Sequence, residues 1–304
     1  MIQEPIVLLA ASLLIGMMLQ RVRAIPANAH IVLNRYVIYV ALPALALVHV
    51  PYIELHRELL FPVATAWILF LAAVPVVLLV VRIQGWSRQT TGCLILTAGL
   101  GNTAFLGYPV IEALYGTEGV QVALLVDQPG TFVVTSTLGI VVAGIYSEGR
   151  RRKRELARSV LTFPPFLVFI VALVLNLSGI APGGVALGVL EQFAATLTPI
   201  ALISIGLQLK FSGAAEQIRP LAFGLLYKML LAPALIFLLY VWVFGGEGLL
   251  VRVSIMQAAM PPMITGSIIA TTYGLNARLA ALMAGVGVPV AVVTLAFWYL
   301  ILGG

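Results

Sequence analysis

Two stretches of small, helix-breaking and hydrogen-bonding residues interrupt long apolar segments of the chain. The first runs from Gly101 to Pro109 and the second from Ala259 to Gly266. Proline lacks a backbone donor and glycine tolerates conformations that other residues avoid, so each stretch is predicted to break a helix. The residues expected to form these breaks are Gly107, Pro109, Pro261 and Pro262.

Broken backbone is tolerated at membrane depth only where it meets protein or a water-filled cavity. A half-helix that begins after a break presents free N–H groups and the positive end of its dipole, which together favour a carboxylate. The predicted substrate-binding residues around the two breaks are Gly101, Asn102, Thr103, Gln257, Thr265 and Ser267. The simpler interpretation is that their polar groups only satisfy the broken backbone.

Two ionisable residues, Asp127 and Lys228, lie inside other apolar segments. A charged side chain at such depth costs roughly 3 kcal/mol even on a mild insertion scale, which makes both residues candidates for ion coupling. Asp127 could exchange a proton or help to hold a sodium ion. Alternatively, the two residues form a buried structural pair, or each has a separate role.

The composition indicates an all-α membrane protein. Of the 304 residues, 62% are hydrophobic and 9% are charged, whereas a soluble domain is roughly a quarter charged. The formal charge of +6 comes from cations between apolar segments, where they orient a membrane protein in the lipid bilayer, so nucleic-acid binding is not expected. Cys93 is the sole cysteine and the three histidines are scattered, so neither a metal site nor a cofactor is predicted.

Apolar segments long enough to cross a bilayer recur along the whole chain. The ten predicted spans are about 5–20, 31–50, 60–81, 89–115, 119–146, 160–178, 186–209, 219–244, 249–274 and 278–302. With this count, thirteen Lys and Arg residues fall in loops on one side, and only Arg57 and Arg252 on the other. The positive-inside rule makes the first side cytoplasmic, with both termini periplasmic or extracellular, and a bacterial inner membrane is expected.

A basic cluster at 150–154 divides the chain near its middle. The predicted domains are a first five-helix repeat (1–149), a cytoplasmic basic linker (150–158) and a second repeat (159–304). Because five is odd, two related halves must enter the membrane in opposite directions, as in many secondary transporters. The fourth segment of each half carries one of the two predicted breaks, which supports the inverted repeat.

The motifs at the breaks resemble those of the auxin efflux carrier family, which includes the plant PIN exporters and bacterial malonate or malate carriers. The resemblance rests on GNTAFLGYPVIEALYG at 101–116 and QAAMPPMITGSIIATTYGLN at 257–276. It is supported by LPALAL and TPIALISIGLQL in spans two and seven, and it covers essentially the whole chain. The short central loop is similar to that of the bacterial type.

The resemblance implies a fold like that of sodium–proton antiporters and bile-acid sodium symporters, with broken helices 4 and 9 crossing near the membrane centre. Helices 1, 2, 6 and 7 would form a scaffold, and helices 3–5 and 8–10 a moving transport domain. Asn102 falls on the family's crossover asparagine, and Pro109 and Pro261 fall on its break positions. Pro262, Thr265 and neighbouring Gly266 depart from the plant pattern. Relatives carry carboxylates and often form homodimers.

These observations predict a secondary active transporter that moves a small organic anion, such as a dicarboxylate or an aromatic acid, by alternating access. The coupling ion could be H⁺ or Na⁺, and a sodium-coupled symporter of the bile-acid type is the alternative. An intramembrane two-aspartate enzyme is excluded because Asp127 is the sole aspartate. A channel would favour a continuous polar stripe rather than two compact breaks.

Overall fold

The computed structural model of the protein describes residues 3–26, 28–52, 60–147, 154–155, 158, 161–208 and 214–303. Within these ranges the chain is all-helical. Its helices are α1 Gln3–Leu19, α2 Ala29–Tyr52, α3 Leu60–Gln84, α4 Arg88–Ala98, α5 Gly107–Val126, α6 Ile140–Tyr146, α7 Pro164–Leu177, α8 Gly184–Leu207, α9 Ala215–Val243, α10 Leu249–Ala258, α11 Ile264–Thr272 and α12 Ala277–Ile301. Most of the predicted basic linker (150–153 and 156–157), together with Arg57, lies outside the described residues.

Helices lie within each of the ten predicted apolar segments, with ends that agree to within about four residues. This agreement arises because long apolar runs bounded by charge, proline or glycine form helices that begin and end at those boundaries. Six runs are long and apolar enough to cross a membrane: Ala29–Tyr52, Leu60–Gln84, Glu118–Tyr146, Gly184–Leu207, Ala215–Val243 and Ala277–Ile301. The protein is therefore a multi-pass membrane protein.

Both predicted helix breaks are present. Residues 99–106 separate α4 from α5, and residues 259–263 separate α10 from α11. A further bend lies within α5 at Gly116, whose φ of 68° and ψ of −167° belong to a region that favours glycine. This bend ends the short half-helix that follows the first break, and the long run Glu118–Tyr146 starts just beyond it.

Turns of π-helix contain both buried charges. Asp127 begins the π-helical turn Asp127–Phe132, and Lys228 lies in the turn Tyr227–Leu231 within α9. Pro129 lies in the first turn and Pro233 follows the second. Each proline lacks the N–H that a regular helix would use, which favours a local change of pitch. Such turns often occur at functional sites.

The helices pack in two groups. One group contains α1, α2, α7 and α8, and the other contains α3–α6 and α9–α12, while α8 also contacts α11 and α12. In the first group, small residues bring α1 and α8 close together, since a Cβ atom on Gly206 would lie 2.8 Å from the Cα of Gly16. In the second group, the two pairs of half-helices meet at their breaks.

Candidate functional site

The two breaks cross each other and are joined through their main chains. Gly101 and Pro262 form an antiparallel β-bridge. The N–H of Asn102 donates to the carbonyl of Pro261 at 2.8 Å, and the N–H of Met263 donates to that of Leu100 at 3.0 Å. Each broken helix thus satisfies part of the backbone that the other break exposes, which confirms that the interruptions lie against each other.

Gln257 links α10 to the first break. Its side chain is fully buried and donates from Nε2 to the carbonyl of Thr103 at 3.1 Å. Gly107 makes room for this amide, because a Cβ atom at that position would lie 2.5 Å from Oε1 of Gln257. Gly107 therefore begins α5 as predicted and also allows the two breaks to approach each other.

Two buried side chains at the crossing have donor groups without a hydrogen-bond partner in the described chain, and Oε1 of Gln257 is a buried acceptor without one. Asn102 is 2% exposed, and its Oδ1 accepts from the N–H of Phe105 at 3.3 Å, whereas its Nδ2 has no hydrogen-bond partner within the described chain. Thr265 is also 2% exposed, and its Oγ1 has no partner there either. A buried polar atom left unpaired costs about 1–3 kcal/mol, so a ligand that pairs with both atoms would gain binding free energy.

Asn102 and Thr265 line one small cavity between α2 and the crossing. The first turn of α11 begins at Ile264, where the first N–H groups of a helix have no intrahelical acceptor. Apolar side chains form much of the remaining wall: Leu42, Leu45, Ala104, Phe105, Phe132 and Met263. The cavity thus combines donors suited to a carboxylate with a surface suited to an organic body.

Asp127 lies in the wall of the same cavity and accepts three side-chain hydrogen bonds. The donors are Thr103 Oγ1 at 2.5 Å, Gln128 Nε2 at 2.6 Å and the hydroxyl of Tyr108 at 2.7 Å. Thr103, one of these donors, directly follows Asn102 in the sequence. The carboxylate of Asp127 therefore contacts the residue next to the candidate substrate contact, Asn102. Sequence reasoning missed Tyr108 and Gln128, although the polar run at 127–128 inside an apolar segment was a signal for the latter.

Lys228 lies at a second small cavity, and Thr103 lines both cavities. Its Nζ donates to the carbonyl of Ala258, the last residue of α10, at 2.6 Å. Among the described residues no ion pair joins Lys228 to Asp127, and each has other partners. The interpretation of these two residues as a buried structural pair is therefore wrong.

The remaining predicted residues bond to the backbone at the breaks, lie in the first turn of a half-helix or line the cavities. Ser267 Oγ donates to the carbonyl of Met263 at 3.3 Å, as the simpler interpretation expects. Gly101 lines both cavities, and Pro109 lies in the first turn of α5, where a missing N–H removes a donor that has no intrahelical acceptor. Within the described chain, no group of three or more His, Cys, Asp or Glu side chains could hold a metal ion.

Crossed helix breaks with unpaired buried donors, in a multi-pass helical protein, are typical of membrane transporters. The sequence matches the membrane transport protein family over residues 1–299, and the chain belongs to this family, the auxin efflux carriers. It is 27% identical over 283 residues to an uncharacterized transporter of Methanothermobacter thermautotrophicus, covering 89% of this chain and 88% of the relative. A second uncharacterized transporter, from Methanocaldococcus jannaschii, is 26% identical over 281 residues, 88% of each chain.

Proposed function

We propose that the protein is a secondary active transporter that carries a small organic anion, bound through a carboxylate, by alternating access. The observation that carries this proposal is the pair of unpartnered buried atoms, Asn102 Nδ2 and Thr265 Oγ1, in one cavity at the start of α11. Both groups can donate to a carboxylate, and the helix N-terminus adds positive potential. A dicarboxylate or an aromatic acid would place its remaining atoms against Phe132 and the leucines of α2.

The proposed architecture has ten spans in two inverted five-helix repeats, 1–149 and 159–304, joined by the cytoplasmic linker 150–158. The group α1, α2, α7 and α8 is the scaffold, and the other group moves with the bound anion. Three features support this division: the packing of the helices in two groups, the break in the fourth segment of each half, and the placement of the substrate cavity against α2. The proposed location is a bacterial inner membrane, and the distribution of cations favours an orientation with both termini outside.

Asp127 is the proposed coupling residue. Its carboxylate contacts Thr103, which neighbours Asn102, so a proton on Asp127 would reduce repulsion between this carboxylate and a bound anion. Proton uptake and anion binding would then favour each other. The alternative is a sodium-coupled symporter of the bile-acid type, and the oxygen atoms of Asp127, Thr103 and Tyr108 are the ligands that a sodium ion would use. Replacement of sodium by choline in a proteoliposome uptake assay separates the two.

The first experiment is a thermal-shift screen of the purified protein against C3 to C6 dicarboxylates, aromatic acids and amino acids. A ligand present at a hundred times its Kd stabilises the protein by about 2.7 kcal/mol, which such a screen detects. We expect at least one carboxylate, and no uncharged analogue of it, to raise the melting temperature. Failure of every acid in the panel would argue against a small-carboxylate carrier.

The second experiment uses Asn102→Ala and Thr265→Val with the acid that the screen identifies. A hydrogen bond to a charged group contributes about 1.5–3 kcal/mol, so each variant should bind that acid at least about tenfold more weakly. Thr294→Val is the matched control, because Thr294 lies on α12 outside the cavity and bonds only within its own helix. Wild-type affinity in both Asn102→Ala and Thr265→Val would remove the cavity as the substrate site.

A further inference from the structure

We infer that the ammonium group of Lys228 takes the place of a bound sodium ion at the helix crossing, so that this protein neither binds nor needs sodium there. In transporters with broken helices, unwound carbonyl groups and the C-terminal ends of half-helices commonly coordinate the coupling cation. Here the end of the half-helix α10 is already occupied by a cation that belongs to the chain.

The carbonyl groups at the end of α10 show how Lys228 fits. The N–H groups of Ala259 and Met260 satisfy the three carbonyls that precede that of Ala258. The carbonyl of Ala258 instead accepts from Nζ of Lys228 at 2.6 Å. Lys228 therefore completes the hydrogen bonding of the helix end in the way that a coordinated cation would.

Lys228 also contacts the other break. A Cβ atom on Gly101 would lie 3.0 Å from Nζ, so the ammonium group touches the first break as well as the end of α10. The C-terminal end of a helix carries about half a negative charge, which favours a cation at this point. One side chain thus contacts both backbones of the crossing.

The surroundings of Lys228 are neutral. The side chain is fully buried, and in the described ranges no carboxylate lies within salt-bridge distance of it. Its cavity is lined by the neutral polar residues Thr65, Thr131 and Gln257, while Asp127 accepts hydrogen bonds from three other side chains. The helix end is consequently the main partner of the ammonium group.

The inference leads to a test that needs no substrate. Loss of the ammonium group should leave the Ala258 carbonyl open in a polar cavity, which a small cation from solution can enter. The inference also implies that uptake continues when choline replaces sodium, and only this consequence rests on the proposed function. The cation preference of the protein itself can be measured whether or not a carboxylate is carried.

The experiment compares melting temperatures of the detergent-purified full chain in sodium, choline and methylammonium chloride at equal ionic strength. We expect the wild type to melt at the same temperature in all three salts. Lys228→Ala should melt several degrees lower in choline and recover in part with sodium or methylammonium. Lys228→Met fills the space with an uncharged chain and should be destabilised without recovery. Arg35→Ala is the control for loss of an exposed cation within a helix, and it should show no cation preference.

Specific stabilisation by sodium that persists in Asp127→Asn would overturn the inference, as would a folded Lys228→Ala protein that gains nothing from either cation. If Lys228→Ala does not fold, Lys228→Arg provides the second variant. It retains the charge and should remain insensitive to sodium, and a sodium-stabilised Lys228→Arg protein would contradict the inference. These measurements contain no carboxylate, and chloride is the same in every sample, so their failure leaves the proposed carboxylate site untouched. The absence of a carboxylate ligand likewise leaves the cation result intact.

Discussion

Replacement of Gly107 by alanine tests whether Gln257 holds the two breaks together. The new Cβ atom would lie 2.5 Å from Oε1 and 3.0 Å from Nε2 of Gln257, so this amide would have to move. The move breaks its hydrogen bond to the carbonyl of Thr103 and leaves that buried group unpaired, at a cost of about 1–3 kcal/mol. Alanine regains up to about 0.5–1 kcal/mol through its helix preference. We expect a net destabilisation of roughly 1–2 kcal/mol.

A double-mutant cycle isolates this contact. In a Gln257→Ala background the obstructing amide is absent, so Gly107→Ala should be neutral or slightly stabilising. The coupling free energy between the two positions should then be roughly 1–2 kcal/mol, within the range observed for residues in contact. Gly183→Ala is the matched control, since a Cβ atom there would meet no atom within 4 Å.

Unfolding of the four proteins in detergent, followed by intrinsic tryptophan fluorescence, provides the measurement. Both single variants should unfold before the wild type, because each leaves the carbonyl of Thr103 unpaired, and the double variant should resemble Gln257→Ala. Equal destabilisation by Gly107→Ala in both backgrounds would refute the reasoning, because the penalty would then not involve Gln257.

Two other substitutions test the cavity wall and the packing of α11. Asp127→Asn places an amide among three donors, and we expect substrate binding to persist while uptake loses its dependence on a pH gradient; an unchanged response in proteoliposomes would assign Asp127 to structure alone. Gly266→Ala would place a Cβ atom 2.8 Å from the carbonyl oxygen of Leu96, so α11 must shift away from α4. The expected penalty is about 1–3 kcal/mol, seen as a lower melting temperature than that of the Gly183→Ala control.

The helices and breaks were predictable because their signals are local. Apolar runs define the helices, and the density of glycine and proline at 101–109 and 259–266 marks the interruptions. The location of Asn102 and Thr265 at one cavity followed from the expectation that the two breaks meet. No pattern within either stretch could show that Gly101 pairs with Pro262 in a β-bridge, since this depends on how two distant segments dock.

The partners of the buried charges could not be predicted from the sequence. Asp127 and Lys228 are an obvious pair by charge, yet they lie at different cavities. π-helical turns place both residues, and such turns rotate side chains away from the positions that regular helical spacing would assign. The contact of Tyr108 with Asp127 likewise depends on a bend in the chain, because the two residues are 19 positions apart and Gly116, with its non-helical backbone, lies between them.

The junction between the half-helices is made of peptide groups, with Asn102 N–H bound to the Pro261 carbonyl and Met263 N–H bound to the Leu100 carbonyl. These bonds do not depend on side-chain identity, provided that the glycine and proline geometry persists. Residues that line the cavity can therefore be substituted without breaking the hydrogen bonds that join the half-helices. Relatives that share only about a quarter of their residues can keep one transport framework and diverge in cargo, and a change of selectivity in this protein should require few substitutions.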